Sequence, residues 1–165
     1  MQNPYTYTIF LDLLGYSSRL NSIQNESDAN HIFELLGNIK NSIVSHFNMM
    51  NYSNNYLEYD IKYAFFSDSI VLSLIPNEKI KFIEKEQLLD FNTFGLESLI
   101  TWIQKLYPII INENLLLRGG ISVKNVYWKE NEVIGPALIE AYELESKHAK
   151  WARILFLIFP SNSNI

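Results

Sequence analysis

The chain has 165 residues, is 48% hydrophobic and 14% aromatic, and carries a formal net charge of -5. This is enough apolar material for one buried core, so a single domain over residues 1–165 is expected. An acidic balance with three arginines supplies no basic stripe for a nucleic-acid partner, and the lack of cysteine excludes disulfides, thiolate catalysis and cysteine-held zinc.

Thr8 to Leu11 is a short apolar run that reads as a buried strand, and Asp12 follows it directly. Ser17 to Asp28 is polar, with Ser27-Asp28 as the expected cap of a helix. From Ala29 to about Asn51 the residues Ile32, Leu36, Ile39, Ile43 and Phe47 recur at helical spacing. Tyr59 to Phe65 then alternates as a strand with one buried face, Asp68 turns the chain, and Ile70 to Leu74 returns as its partner. Pro76 to Glu86 reads as a charged connection, and a second helix is expected from Phe94 to Tyr107, ended by Pro108.

Leu115 to Val123 is a strand interrupted by Gly119-Gly120, a pair that signals a bend or a close backbone approach. A hairpin around Lys129 to Glu132 follows, flanked by Val126-Tyr127-Trp128 and Val133-Ile134. Gly135-Pro136 opens a third helix, which runs to about Lys147 with Leu138, Ala141, Tyr142 and Leu144 on its apolar side. Ile154 to Phe159 is apolar throughout and reads as a central strand. The whole string predicts an α+β fold, a ferredoxin-like sandwich with helices packed on a mixed sheet.

Two carboxylates stand out in that string. Asp12 and Asp68 each sit where a strand ends, on rigid backbone but within reach of solvent. Two such groups on neighbouring strands suit a pair of divalent cations and phosphoryl chemistry, although either alone is also what a turn uses for a cap. His31, His46 and His148 show no ligand-like spacing, and the first two read as surface or helix-side residues. No apolar run approaches a membrane span, and Met1-Gln2-Asn3-Pro4 lacks a charged region followed by a hydrophobic one, so a cytoplasmic protein without a membrane partner is expected.

Four segments in order resemble the class III nucleotidyl cyclases. Phe10-Leu11-Asp12-Leu13-Leu14-Gly15-Tyr16 is similar to the F-x-D-[IL]-x-G-F of that family, and Phe66-Ser67-Asp68-Ser69 falls at its metal-binding hairpin. Arg118-Gly119-Gly120-Ile121 resembles R-x-G-I, and Gly135 to Glu145 resembles the helix G-D-T-V-N-x-A-A-R-L-E. The helix has Ile139 and Glu143 where purine cyclases carry Asn and Arg, and Ala64 and Glu132 stand at the purine-reading positions. That combination is closest to the bacterial pyrimidine cyclases of Pycsar anti-phage defence.

The resemblance implies conversion of UTP or CTP to the cyclic monophosphate and pyrophosphate, with a separate effector reading the product. It implies two Mn2+ or Mg2+ ions on Asp12, Asp68 and the Leu13 carbonyl. It further implies nucleotide contacts from Phe10, Leu14, Gly15, Tyr16 and Arg118, and a homodimer in which Tyr127 and Trp128 are candidate interface aromatics. Arg118 is equally readable as a structural ion-pair partner, and Lys150 and Arg153 are further cationic candidates. Tyr16, Tyr63 and Phe65 are bulky enough to narrow the base pocket against purines. Family members continue beyond a stretch like Ser161 to Ile165, so a truncated C-terminus is expected. The alternatives are a GGDEF-like nucleotidyltransferase, for which the defining stretch is missing, and a degenerate domain that binds without turnover.

Overall fold

A computed structural model describes residues 4–53, 59–78, 80 and 84–156. The elements are β1 (Tyr7–Leu14), α1 (Tyr16–Asn21), α2 (Glu26–Ser53), β2 (Tyr59–Phe66), β3 (Ser69–Pro76), α3 (Lys85–Asn112), β4 (Leu116–Ser122), β5 (Tyr127–Lys129), β6 (Glu132–Ile134), α4 (Pro136–Glu143), one π-helical turn (Leu144–His148) and β7 (Ile154–Phe156). Five strands form a sheet in the order β2-β3-β1-β4-β7, while β5 and β6 pair separately. β3 is antiparallel to both β1 and β2, and β7 is parallel to β4, so the sheet is mixed. The order β2-β3-β1-β4, with helices between β1 and β2 and between β3 and β4, is the split βαβ arrangement of ferredoxin-like α+β folds.

The chain divides into two compact units. The first comprises Met1–Asp12, Tyr59–Glu78 and Arg118–Ile165. β3 lies between β1 and β2, and its run Ile70-Val71-Leu72-Ser73-Leu74 is buried on both faces, as a central strand requires. Its one polar member is satisfied: the Ser73 hydroxyl lies 3.0 Å from the Thr8 hydroxyl and accepts the Trp128 indole N–H at 3.1 Å. Trp128 therefore ties the β5–β6 hairpin to the sheet, whereas Tyr127 is exposed.

The second unit comprises Leu13–Glu58 and Lys79–Leu117. Here α2 buries Ile32, Leu35, Ile39, Ile43 and Phe47, and α3 buries Phe91, Leu99, Trp102, Leu106 and Ile110. Trp102 sits 6.0 Å from the Phe47 ring and donates its indole N–H to the Ser42 hydroxyl, so the two helices share both apolar and polar contacts. No described helix is long and apolar enough to cross a membrane.

Several elements differ from the sequence reading. The polar stretch after β1 contains α1, and α2 starts earlier than expected because Asn25, not Ser27-Asp28, caps it by accepting the Asp28 amide at 3.0 Å. Leu35 rather than Leu36 takes the fully buried position of that helix. α3 begins at Lys85, inside the presumed charged connection, where Glu84 and Gln87 form a reciprocal capping box. Pro108 lies within α3 instead of ending it. Losing one N–H donor is a local cost, and Leu106 and Ile110, both fully buried, hold the helix across it. β7 is an edge strand among the described residues, not a central one, and positions 157–159 of the expected strand lie outside them. The expected C-terminal truncation also falls outside the described residues.

Candidate active site

Within the first unit, Asp12 closes the part of β1 that pairs with β3, and its register partner is Ser69. Asp68 immediately precedes Ser69, in a two-residue turn with Ser67 at φ 56. Antiparallel pairing thus brings the two aspartates to the same end of neighbouring strands, as the sequence implied. The Asp12 carboxylate feels the Asp68 charge. Asp12 is pushed above its ordinary pKa chiefly by burial, with the Asp68 charge adding to the effect and the Arg118 guanidinium opposing it.

Arg118, at the start of the first-unit part of β4, donates from Nη2 to Asp12 Oδ2 at 3.0 Å. Its Nε is in close contact with Glu145 Oε1 from the π-helical turn, and neither of these buried atoms has a well-aligned hydrogen-bond partner. Glu145 is almost fully buried, and burial raises its pKa against the lowering effect of Arg118. Arg118 is therefore an ion-pair partner of two carboxylates in this structure, the second of the two readings its sequence context allowed.

The adjacent glycines make this cluster possible. A Cβ on Gly119 would stand 2.5 Å from the Phe10 carbonyl oxygen, and one on Gly120 would stand 2.3 Å from the Ala141 carbonyl oxygen. Both distances are below any real contact, so β4 approaches β1 on one side and α4 on the other only because side chains are missing there. The close approach predicted for the glycine pair holds on both sides.

Sequence reasoning missed Glu145 as a site residue. A signal was present: Leu138, Ala141, Tyr142 and Glu145 share helical spacing i, i+3, i+4, i+7, which places a carboxylate on the apolar stripe. A charge there demands a buried partner. The π-helical turn, a device common at functional sites, carries that carboxylate.

Phe10 is half-buried and meets the Tyr142 ring edge-on at 5.4 Å. With Phe66, Val71, Val133, Leu138 and Ile139 these rings line an open apolar groove of about 450 Å³ in the first unit. Tyr63 and Phe65 pack edge-to-face on β2. In the second unit, Leu13 and Leu14 complete β1, Gly15 is exposed at φ 94 ahead of α1, and Tyr16 is buried. That burial removes Tyr16 from the side chains exposed enough to narrow a base pocket. The positive φ at Gly15 is one that favours glycine. Lys150 and Arg153 are exposed, and Arg153 donates to the His148 carbonyl at 2.5 Å. His31 is exposed as expected, but His46 is buried between α2 and α3.

Among the described residues no group of three or more His, Asp or Glu side chains is arranged to hold a metal ion. Two carboxylates are nevertheless a sufficient protein donor set for Mg2+ or Mn2+. Such ions keep several waters and complete their shell with substrate phosphate oxygens. The all-oxygen chemistry of Asp12 and Asp68 fits them.

No family model matches the chain, and no curated protein matches it. Among solved structures it is similar to that of the guanylyl cyclase Cya2, at 15% identity and a TM-score of 0.44, over 86% of this chain and 68% of that one. A likeness this loose defines neither the fold nor the activity of the present chain.

Proposed function

We propose that the chain is a nucleotide cyclase that converts a ribonucleoside triphosphate, UTP or CTP, to its 3′,5′-cyclic monophosphate and pyrophosphate. The observation that carries this reading is the pair Asp12 and Asp68, held at one end of adjacent antiparallel strands of a ferredoxin-like sheet. Two divalent ions held there would neutralise phosphate charge and make the ribose 3′-hydroxyl more acidic. Asp12 and Asp68 supply hard oxygen donors, and the Leu13 carbonyl is a further donor by resemblance. Arg118 fixes the Asp12 carboxylate through one N–H, and its Nε faces Glu145.

The pyrimidine assignment rests on Ala64, buried where purine cyclases read the base, and on the lack of Asn and Arg at Ile139 and Glu143. Glu143 instead pairs with Lys147 at 2.6 Å on the exposed side of the helix. The product would serve as a defence signal read by a separate effector. Exposed Phe66, Ile139 and Tyr142 along the apolar groove support a homodimer built on that face.

A second reading, a nucleotide-binding domain without turnover, draws on Arg118 lying against Asp12. Incubation with UTP, CTP, ATP and GTP in Mn2+, read by mass spectrometry, separates the two. A cyclic pyrimidine monophosphate supports the proposal. A purine product overturns the substrate assignment, and no product from any triphosphate supports the second reading.

A further inference from the structure

Arg118 is shared. One N–H reaches Asp12 at 3.0 Å while Nε faces Glu145, a residue 3% exposed and carried by the π-helical turn after α4. Gly120 brings that turn against β4, since a Cβ there would also stand 2.5 Å from the Leu144 Cβ. The fold thus spends a glycine, a helical irregularity and a buried carboxylate on one guanidinium. A lone Asp12–Arg118 pair needs none of these.

We infer that Glu145 is a positioning residue that draws Arg118 partly off Asp12, so that Asp12 retains an open oxygen face toward a divalent cation. The inference rests on the metal-site reading of Asp12 and Asp68. With Glu145 in place the guanidinium is divided between two carboxylates and cannot lie side-on across both Asp12 oxygens. Charge balance points the same way. Asp12 and Glu145 with Arg118 sum to -1, and removing the Glu145 charge leaves this trio neutral. A partner one step removed from the ligand typically alters metal affinity 10- to 100-fold when lost.

The test is Mn2+ binding to the full chain without nucleotide, measured by electron paramagnetic resonance titration beside circular dichroism. Glu145→Gln is expected to weaken Mn2+ binding by about 10- to 100-fold. The double variant Glu145→Gln with Arg118→Gln restores -1 and removes the competing cation, so its affinity is expected within about threefold of wild type. A merely structural role for Glu145 cannot produce that recovery. Wild-type affinity in Glu145→Gln, or weak binding that persists in the double variant, overturns the inference. If the single variant does not fold, the double variant decides alone by the same criterion. Failure of the underlying reading looks different: wild type then shows no Mn2+ binding that Asp12→Asn removes.

Discussion

Asp12 and Asp68 differ in what surrounds them, but their variants should agree in activity. Asp68 sits half-buried in the turn before β3, and Asp68→Ala removes one carboxylate of the pair. Asp12→Ala leaves Arg118 with Glu145 as its carboxylate and unfolds somewhat more easily. Turnover in each should fall to background, and activity that persists in both at saturating Mn2+ removes the two-metal reading. His46 supports a separate prediction. Its Nε2–H donates to the Ser98 carbonyl at 2.8 Å, so Nδ1 accepts from the Lys105 ammonium at 3.2 Å, with the Phe47 ring alongside. Burial lowers its pKa, and the nearby Lys105 charge adds to this while the Ser98 bond opposes it. A depressed folded pKa means stability that is present above about pH 6.5, the unfolded value, and is lost as pH falls through the folded one. Urea unfolding of wild type between pH 7.5 and 5.5 should therefore show a steeper loss than His46→Gln, which cannot protonate. Equal slopes refute this assignment.

Elements obey the same logic one level up, and Gly120 shows it most sharply. Gly120→Ala places a methyl against the Ala141 carbonyl and Leu144, and overpacking of this kind costs about 1–3 kcal/mol. Because the methyl pushes α4 and its π-helical turn off β4, the variant should also lose Mn2+ affinity, whereas Gly37→Ala on α2, with nothing within 4 Å, should lose none. Thermal unfolding of the two variants side by side checks the prediction. The contrast also explains what the sequence made legible. Periodic apolar runs gave α2, α4 and the strands, because burial repeats at the period of the element. Boundaries escaped where a polar side chain decides them, as with Asn25 capping α2 and Gln87 reaching back at α3. α1 escaped because Tyr16-Ser17-Ser18-Arg19-Leu20-Asn21 is too short and polar for a periodic signal. Arg19 anchors that helix by its ion pair with Glu113, a contact 94 residues away that local patterns do not carry. The two aspartates were legible because a carboxylate ending an apolar strand is conspicuous. Glu145 stood on the apolar stripe with Leu138, Ala141 and Tyr142, but its partner Arg118 lies on β4, which helical spacing does not carry.

For the whole molecule, assembly turns on the apolar groove of the first unit. Phe66, Ile139 and Tyr142 are 47%, 61% and 50% exposed along it. Scattered exposed apolar side chains are ordinary, but several large ones lining one groove of about 450 Å³ mark a surface that gains by being covered. A second copy of the chain is the expected cover, in a two-fold arrangement that presents the same face from both partners. Net charge of -5 per chain opposes association weakly and is screened at physiological salt, so apolar burial should prevail. Sedimentation at micromolar concentration should give twice the 19.3 kDa chain mass. Ile139→Asp should shift it to the single mass without unfolding, because that side chain is exposed and its substitution leaves the core intact. If both proteins sediment as one chain while wild type turns over fully, the dimer is excluded and one chain holds every group the reaction needs.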